Sequence, residues 1–257
     1  MRKIYFLPLL LLFSFSSKKS EFIPPGTVRI TENFFADICE ISNLDWLEFE
    51  YWTKIKYGYY SSEHLATLPD TLVDRHVLHY SEPYVEYYYR HPAYRNYPVR
   101  GISYEQALAF CKWRSERVRE WHAIRFKKSI ELEYRLPTKD EWEMLSLNGL
   151  GMFSLNKKGR YDINCIQPRR DSTVTAKGII YSQEEESVPV NAYIKNPFGL
   201  CNIFGNMSEM VAEKGIAKGG NFKSTLQECA SGKDQLYKEP EAWLGFRCVC
   251  VIKNKCL

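Results

Sequence analysis

The sequence predicts an α+β fold low in regular secondary structure, and three observations carry that expectation. Short strand-like runs stand near both ends of the chain, around 22–30 and 243–251. Helix signals are confined to a few places, two of them marked by capping boxes at Ser103–Gln106 and Thr138–Glu141. Between these lie the stretches 57–97 and 149–187, which sustain neither a helical nor a strand period.

Phe22-Ile-Pro-Pro-Gly-Thr-Val-Arg-Ile30 reads as a strand around a Pro-Pro-Gly turn, and 34–40 as a second short strand. Ser42 and Asn43 offer N-caps, and Leu44, Leu47 and Tyr51 recur at helical spacing, so a helix is expected over 44–54. The stretch 57–97 is rich in tyrosine, with Tyr57-Gly-Tyr-Tyr60 and Tyr87-Tyr-Tyr89. Such aromatics either fill the interior of a loop-rich domain or present a surface to sugars or proteins. His76 and His79 can share one side of a helical turn, but no third ligand accompanies them and they read as structural.

Pro98–Ser103 leads into the best helix of the chain, on which Ala107, Phe110, Cys111 and Val118 continue one face. After Arg135-Leu-Pro137 the second capping box starts a short helix through Trp142 and Leu145. The acidic run Glu184-Glu-Glu186 reads as a solvated turn. Lys218-Gly-Gly-Asn-Phe222 resembles a strand with a glycine bulge. The closing 243–251 reads as one alternating strand with Cys248 and Cys250 on the same face. No internal repeat or linker interrupts the chain, so 18–257 reads as a single domain.

The chain has 257 residues and a formal charge of +4. Its Lys and Arg are dispersed among Asp and Glu, unlike the basic stripe of a nucleic-acid binder, so no nucleic-acid partner is expected. Residues 1–17 have the pattern of a cleaved signal peptide: Arg2 and Lys3, an apolar run from Ile4 to Phe15, then small residues at Ser14-Phe-Ser16. The apolar run is shorter than the ~20 residues of a membrane span, so the mature chain is expected to carry no transmembrane segment. No cysteine follows it before Cys39, as a lipoprotein attachment site would need. These features point to a secreted, periplasmic or cell-surface protein. The 8 cysteines suit an oxidising compartment; they are scattered, without a Cys-x-x-Cys pair, and favour disulfides over a metal site.

The most informative stretch is Asn196-Pro-Phe-Gly-Leu-Cys-Asn-Ile-Phe-Gly-Asn-Met-Ser-Glu-Met210. Pro197, Gly199 and Gly205 break it into turns, while Asn202, Asn206 and Glu209 supply oxygen atoms. A carbonyl-rich bend of this kind suits either a hard cation such as Ca²⁺ or a buried loop whose side chains cap its own backbone.

Four segments occurring in order complete the picture. They are Pro98-Val-x-Gly-Ile-Ser-Tyr-x-Gln-Ala107 with Phe110-Cys-x-Trp113, Arg135-Leu-Pro-Thr-x-x-Glu-Trp-Glu143, Phe198-Gly-Leu-x-Asn-Ile-x-Gly-Asn-x-x-Glu209, and Gly219-Gly-Asn-Phe222 with Gly245-Phe-Arg-Cys248. Together they resemble the formylglycine-generating enzyme, or sulfatase-modifying factor, family. The opening Pro-Pro-Gly-Thr and Asp37-x-x-Glu40-x-x-Asn43 fit it as well. The resemblance spans essentially the whole mature chain. It implies an irregular α+β domain distantly like the C-type lectin fold. It also implies a Ca²⁺ held by the side chains of Asn202 and Glu209 and the carbonyls of Gly205 and Met207. By the same resemblance Cys111 and Cys248 form a disulfide. A second family calcium site is poorly matched at Asn164.

The family's chemistry is O₂-dependent oxidation of a substrate cysteine, on Cu(I) bound by two cysteines five residues apart. Here the first of those positions is Ser224 and the second Cys229, with Asn221 in place of the serine of Gly-Gly-Ser. A hydroxyl is a poor Cu(I) donor, so Cu⁺ is not expected and Cys229 reads as a disulfide partner. The His-x-x-x-His iron pattern of the superfamily's sulfoxide synthases is absent, and so is a Gly-x-Ser-x-Gly elbow. The resulting expectation is a non-catalytic, calcium-stabilised binding or structural component. The resemblance extends to relatives in bacterial envelope machines for gliding motility and secretion, with other envelope proteins as partners. The alternatives are an oxidase using Cys229 with an unforeseen second ligand, and a calcium-dependent glycan-binding module.

Overall fold

The computed structural model describes residues 22–75, 80–147, 156–157, 160–166 and 186–253. Residues 1–17, expected to be a signal peptide, and His76, His79, Glu184, Glu185 and Cys256 lie outside the described residues.

Two small four-stranded sheets organise the described residues. The first joins β1 (Thr27–Arg29), β2 (Phe34–Asp37), β3 (Leu132–Arg135) and β8 (Val249–Ile252) in the order β1-β2-β8-β3, all antiparallel. The second joins β4 (Ser208–Met210), β5 (Ile216–Lys218), β6 (Gln235–Leu236) and β7 (Leu244–Gly245) in the order β6-β5-β4-β7. Its β4–β7 pair is parallel.

Among the described residues, the α-helices are α1 (Asn43–Tyr57), the short α2 (Ser62–Leu65) and α3 (Glu82–Tyr87), the 23-residue α4 (Tyr104–Phe126) and α5 (Lys139–Ser146). Both expected capping boxes form, with Gln106 and Glu141 reaching back to the amides of Ser103 and Thr138. A third appears at α1, where Asp45 accepts from the Ser42 amide at 2.9 Å. That helix starts one residue earlier and ends three later than its apolar spacing implies, and the Gly58 amide closes it on the Lys54 carbonyl at 2.9 Å.

Aromatic packing holds α1, α4 and the closing segment together. Trp46 stacks on Phe110 with centroids 5.5 Å apart, and both meet Phe246 edge-on. The Trp46 indole donates to the Thr67 carbonyl at 2.8 Å, which satisfies its one polar atom in the core. A second apolar cluster gathers Trp142, Leu145, Ile203, Phe204 and Cys229 beneath Val249.

The structure corrects two strand expectations. The closing 243–251 is not one strand: β7 belongs to the second sheet and β8 to the first, and Phe246–Cys248 cross between them. The crossing is where Arg247 turns fully into the core, a placement that alternation does not foresee. Likewise 218–222 is not a bulged strand. β5 stops at Lys218, and Gly219 and Gly220 take φ of +91° and +67°.

The tyrosines of 57–97 divide between their two readings. Tyr88 and Tyr89 are buried, donating to the Pro98 carbonyl at 2.8 Å and to Glu50 at 2.5 Å. Tyr57, Tyr59 and Tyr60 are exposed, as are Tyr51 and Trp52. Among the described residues, no helix is long and apolar enough to cross a membrane.

Candidate functional site

The Asn196–Met210 bend lies at the seam of the two sheets, with its end forming β4. Asn196 ties the first turn by accepting from the amides of Phe198 and Leu200, both at 3.0 Å, and by donating to the Leu145 carbonyl at 2.8 Å. Asn202 and Asn206 hold left-handed backbone, at φ of +46° and +62°, which asparagine tolerates better than other side chains. At Gly205 a Cβ would come within 2.3 Å of the Asn164 carbonyl, so only glycine lets the two segments touch.

Glu40 sits under this bend. Its two oxygens accept from Asn202 Nδ2 at 2.9 Å and Asn206 Nδ2 at 2.8 Å. Burial, together with the nearby charge of Glu209, pushes the Glu40 carboxyl up to about 8. Asn202 Oδ1 is buried with no hydrogen-bond partner.

Glu209 is fully buried against Arg247. Arg247 Nε donates to its two oxygens at 2.9 and 2.7 Å, Nη2 donates at 2.5 Å, and the Trp142 indole adds a bond at 2.8 Å. The guanidinium also donates to the carbonyls of Cys201 and Asp37. Although burial opposes its charge, the Glu209 carboxylate holds the Arg247 pKa above its ordinary value.

These residues fit a hard cation in one respect and resist it in another. An orphaned Asn202 oxygen and a carboxyl held neutral by burial mark a place short of positive charge. The Glu209 carboxylate, by contrast, already receives the donors it can accommodate, so a cation there would share it with Arg247. Among the described residues, no group of three His, Cys, Asp or Glu side chains gathers as a metal cluster.

Ser224 and Cys229 each have another neighbour. The Ser224 hydroxyl accepts from the Asn221 amide at 3.1 Å and closes its turn, while Asn221 donates to Ser208 Oγ at 2.9 Å. Cys229 is fully buried with the Cys165 thiol as its neighbour, and the Cys165 thiol faces the Ile166 carbonyl at 3.6 Å. The neighbouring Cys165 thiol, followed by burial, raises the Cys229 pKa far above the ordinary thiol value, the reverse of what a reactive thiolate needs. Cys111 and Cys248 bring their sulfurs to 3.5 Å as thiols, against the ~2.05 Å of a disulfide bond.

The model for the sulfatase-modifying factor enzyme 1-like domain matches residues 12–252. The chain belongs to this family.

Its similarity to characterised sulfatase-modifying-factor proteins is modest. The formylglycine-generating enzyme of Thermomonospora curvata is 28% identical over 124 residues, 46% of this chain and 34% of that protein. The Mus musculus enzyme is 26% identical over 185 residues, 60% of this chain and 44% of that protein. The chain thus spans less than half the length of either relative. In fold, it resembles the crystal structure of CarF, with a TM-score of 0.55 at 16% identity over 86% of this chain and 87% of that one.

Several residues that shape this family site were not singled out as site residues by sequence reasoning. Glu40 and Arg247 entered only as motif letters, and Cys165 only as one of eight cysteines. One signal was present: an arginine inside an otherwise apolar closing segment needs a buried carboxylate, and Glu209 follows an apolar run of its own.

Proposed function

We propose that this sulfatase-modifying-factor domain is a non-catalytic, calcium-stabilised binding or structural component, exported to the bacterial envelope and held among other envelope proteins. The observation that carries the non-catalytic reading is the state of the copper positions. Ser224 offers a hydroxyl committed to the Asn221 turn, and Cys229 is a buried neutral thiol set against Cys165. Cu(I) at these positions calls for two soft thiolates, and here one position carries a hydroxyl and the other a fully buried cysteine.

Calcium, in this reading, is held by Asn202 and Glu209 with the carbonyls of Gly205 and Met207, and it supplies positive charge to the bend. Asn202 contributes the oxygen that otherwise lacks a donor, and Arg247 keeps Glu209 oriented. The Cys111–Cys248 bond locks α4 to the crossing at Phe246–Cys248. Partner contact is supported by the exposed Tyr51, Trp52, Tyr57, Tyr59 and Tyr60, with Lys54 and Lys56 over three of the rings. Such a mixed aromatic and cationic surface suits a protein partner or a glycan.

One observation favours a second reading. Cys165 supplies Cys229 with a neighbouring thiol that the sequence spacing did not reveal, so a two-sulfur copper oxidase can be drawn with that pair. The deciding experiment incubates the full chain, supplied with Cu(I) and O₂, with peptides containing a single cysteine. The non-catalytic reading expects no formylglycine product and no oxygen uptake above a Cys229→Ala control. Turnover that this variant abolishes would establish the oxidase instead.

A further inference from the structure

Six of the seven described cysteines meet in three pairs, and only Cys111 with Cys248 follows from the family resemblance. We propose that Cys39–Cys201 and Cys165–Cys229 are two further disulfides of the mature protein. The seventh, Cys250, stands apart in β8, where its backbone pairs with Phe35 and Tyr134.

The backbone brings both pairs together independently of the sulfurs. Beside the first pair, the Cys201 amide donates to the Ile38 carbonyl at 2.7 Å. One residue further on each side, Glu40 is bound by Asn202 and Asn206. The two segments are thus clamped on either side of the cysteines, and burial, with the neighbouring Cys201, pushes the Cys39 thiol up to about 12.

Around the second pair, the Asn206 amide donates to the Asn164 carbonyl at 2.7 Å, and the Ile166 amide donates to the Ser224 carbonyl at 2.9 Å. Cys165 lies between those two anchors. From the other side the Cys229 amide closes on Thr225 at 3.2 Å. Gly220 leaves room for the sulfur, since a Cβ there would stand 2.5 Å from Cys229 Sγ. A buried pair fixed in this way, far apart in sequence, is the arrangement that a cross-link requires.

The chemistry is thiol–disulfide exchange. Each pair of Cys–SH groups loses two protons and two electrons and forms one S–S bond. The electrons pass to the disulfide of a dithiol oxidase of the exporting compartment, which is reduced to its dithiol. The cross-link at Cys229 deepens the non-catalytic reading, because it removes the one cysteine retained at the copper positions. It rests on the exported part of that proposal and not on the missing copper chemistry, since the Cys39–Cys201 pair is remote from the copper positions in sequence.

The test is a disulfide map of the full chain produced through an oxidising export route, alkylated under denaturing conditions without reductant and digested unreduced. The expected result is linked peptides joining Cys39 to Cys201 and Cys165 to Cys229, with none of the four alkylated. Alkylation of any of the four, or a link from one of them to a different cysteine, would overturn the assignment. In Cys165→Ser the Cys229 thiol should become the new alkylated site while Cys39–Cys201 stays linked; Cys229 joined elsewhere would overturn it. Free thiols without peptide turnover would refute the pairing alone, whereas turnover would refute the non-catalytic function.

Discussion

Replacing Arg247 by methionine tests the buried pair on which the bend is seated. Methionine keeps an unbranched side chain of similar reach, but the Glu209 carboxylate would lose its guanidinium donors and retain only the Trp142 indole. The carbonyls of Cys201 and Asp37 would lose theirs as well. Both side chains are essentially inaccessible to solvent, at 0% for Arg247 and 1% for Glu209, so water does not replace what is removed. Removing one partner of a buried ion pair costs about 3–5 kcal/mol. In a domain of this size each kcal/mol corresponds to about 2–4 °C, so the melting temperature should fall by about 6–20 °C.

The assay is urea and thermal unfolding of parent, Arg247→Met, Glu209→Gln and the double variant, all in chelator so that no cation substitutes for the guanidinium. The double variant should cost less than the sum of the singles, by about 1–3 kcal/mol. A single-variant loss under about 1 kcal/mol, the size of an exposed pair, would refute the reasoning. So would strict additivity of the two changes.

Asn202→Gly keeps the left-handed backbone at φ +46° but removes the orphaned oxygen, and it should abolish most of the calcium-dependent rise in melting temperature. An unchanged calcium response, measured with and without chelator, would remove Asn202 from the ligand set. Cys111→Ser, compared with the oxidised parent, should lose about 5 kcal/mol in the chain-entropy model, because the bond closes a loop spanning 137 residues. Equal urea midpoints for the variant and the unreduced parent would exclude that bond. Gly220→Ala places a Cβ 2.8 Å from Cys229 Cα in backbone at φ +67°, so it should destabilise by about 2–5 kcal/mol. A neutral effect on the urea midpoint would show that this turn can relax away from Cys229.

What was legible in the sequence was mostly local. The caps at Ser103 and Thr138 are set by residues three positions apart, and both form as their spacing implies. The short strands at β1 and β2 follow from a Pro-Pro-Gly turn and a brief apolar run. The fold itself was legible through four motifs in a fixed order, and the family match over 12–252 agrees with them.

What escaped was set by distant partners. Arg247 finds Glu209 at a separation of 38 residues, and that pairing splits the closing segment between two sheets. Asn202 meets Glu40 across 162 residues, so the bend looked self-contained although its floor comes from the start of the domain. Gly219 and Gly220 resembled a bulge because a strand precedes them. Their real constraint is contact with Ile203 and Cys229, which spacing does not express. The same holds for Cys165, whose nearness to Cys229 depends on how Asn164 and Ile166 are anchored.

In the proposed function the family fold is retained here without its copper chemistry. The most direct test is the metal content of the purified full chain after loading with Cu(I) and Ca²⁺ and removal of excess metal. Bound calcium is expected, with copper no higher than in Cys229→Ala. Stoichiometric copper that disappears in Cys229→Ala would contradict this reading.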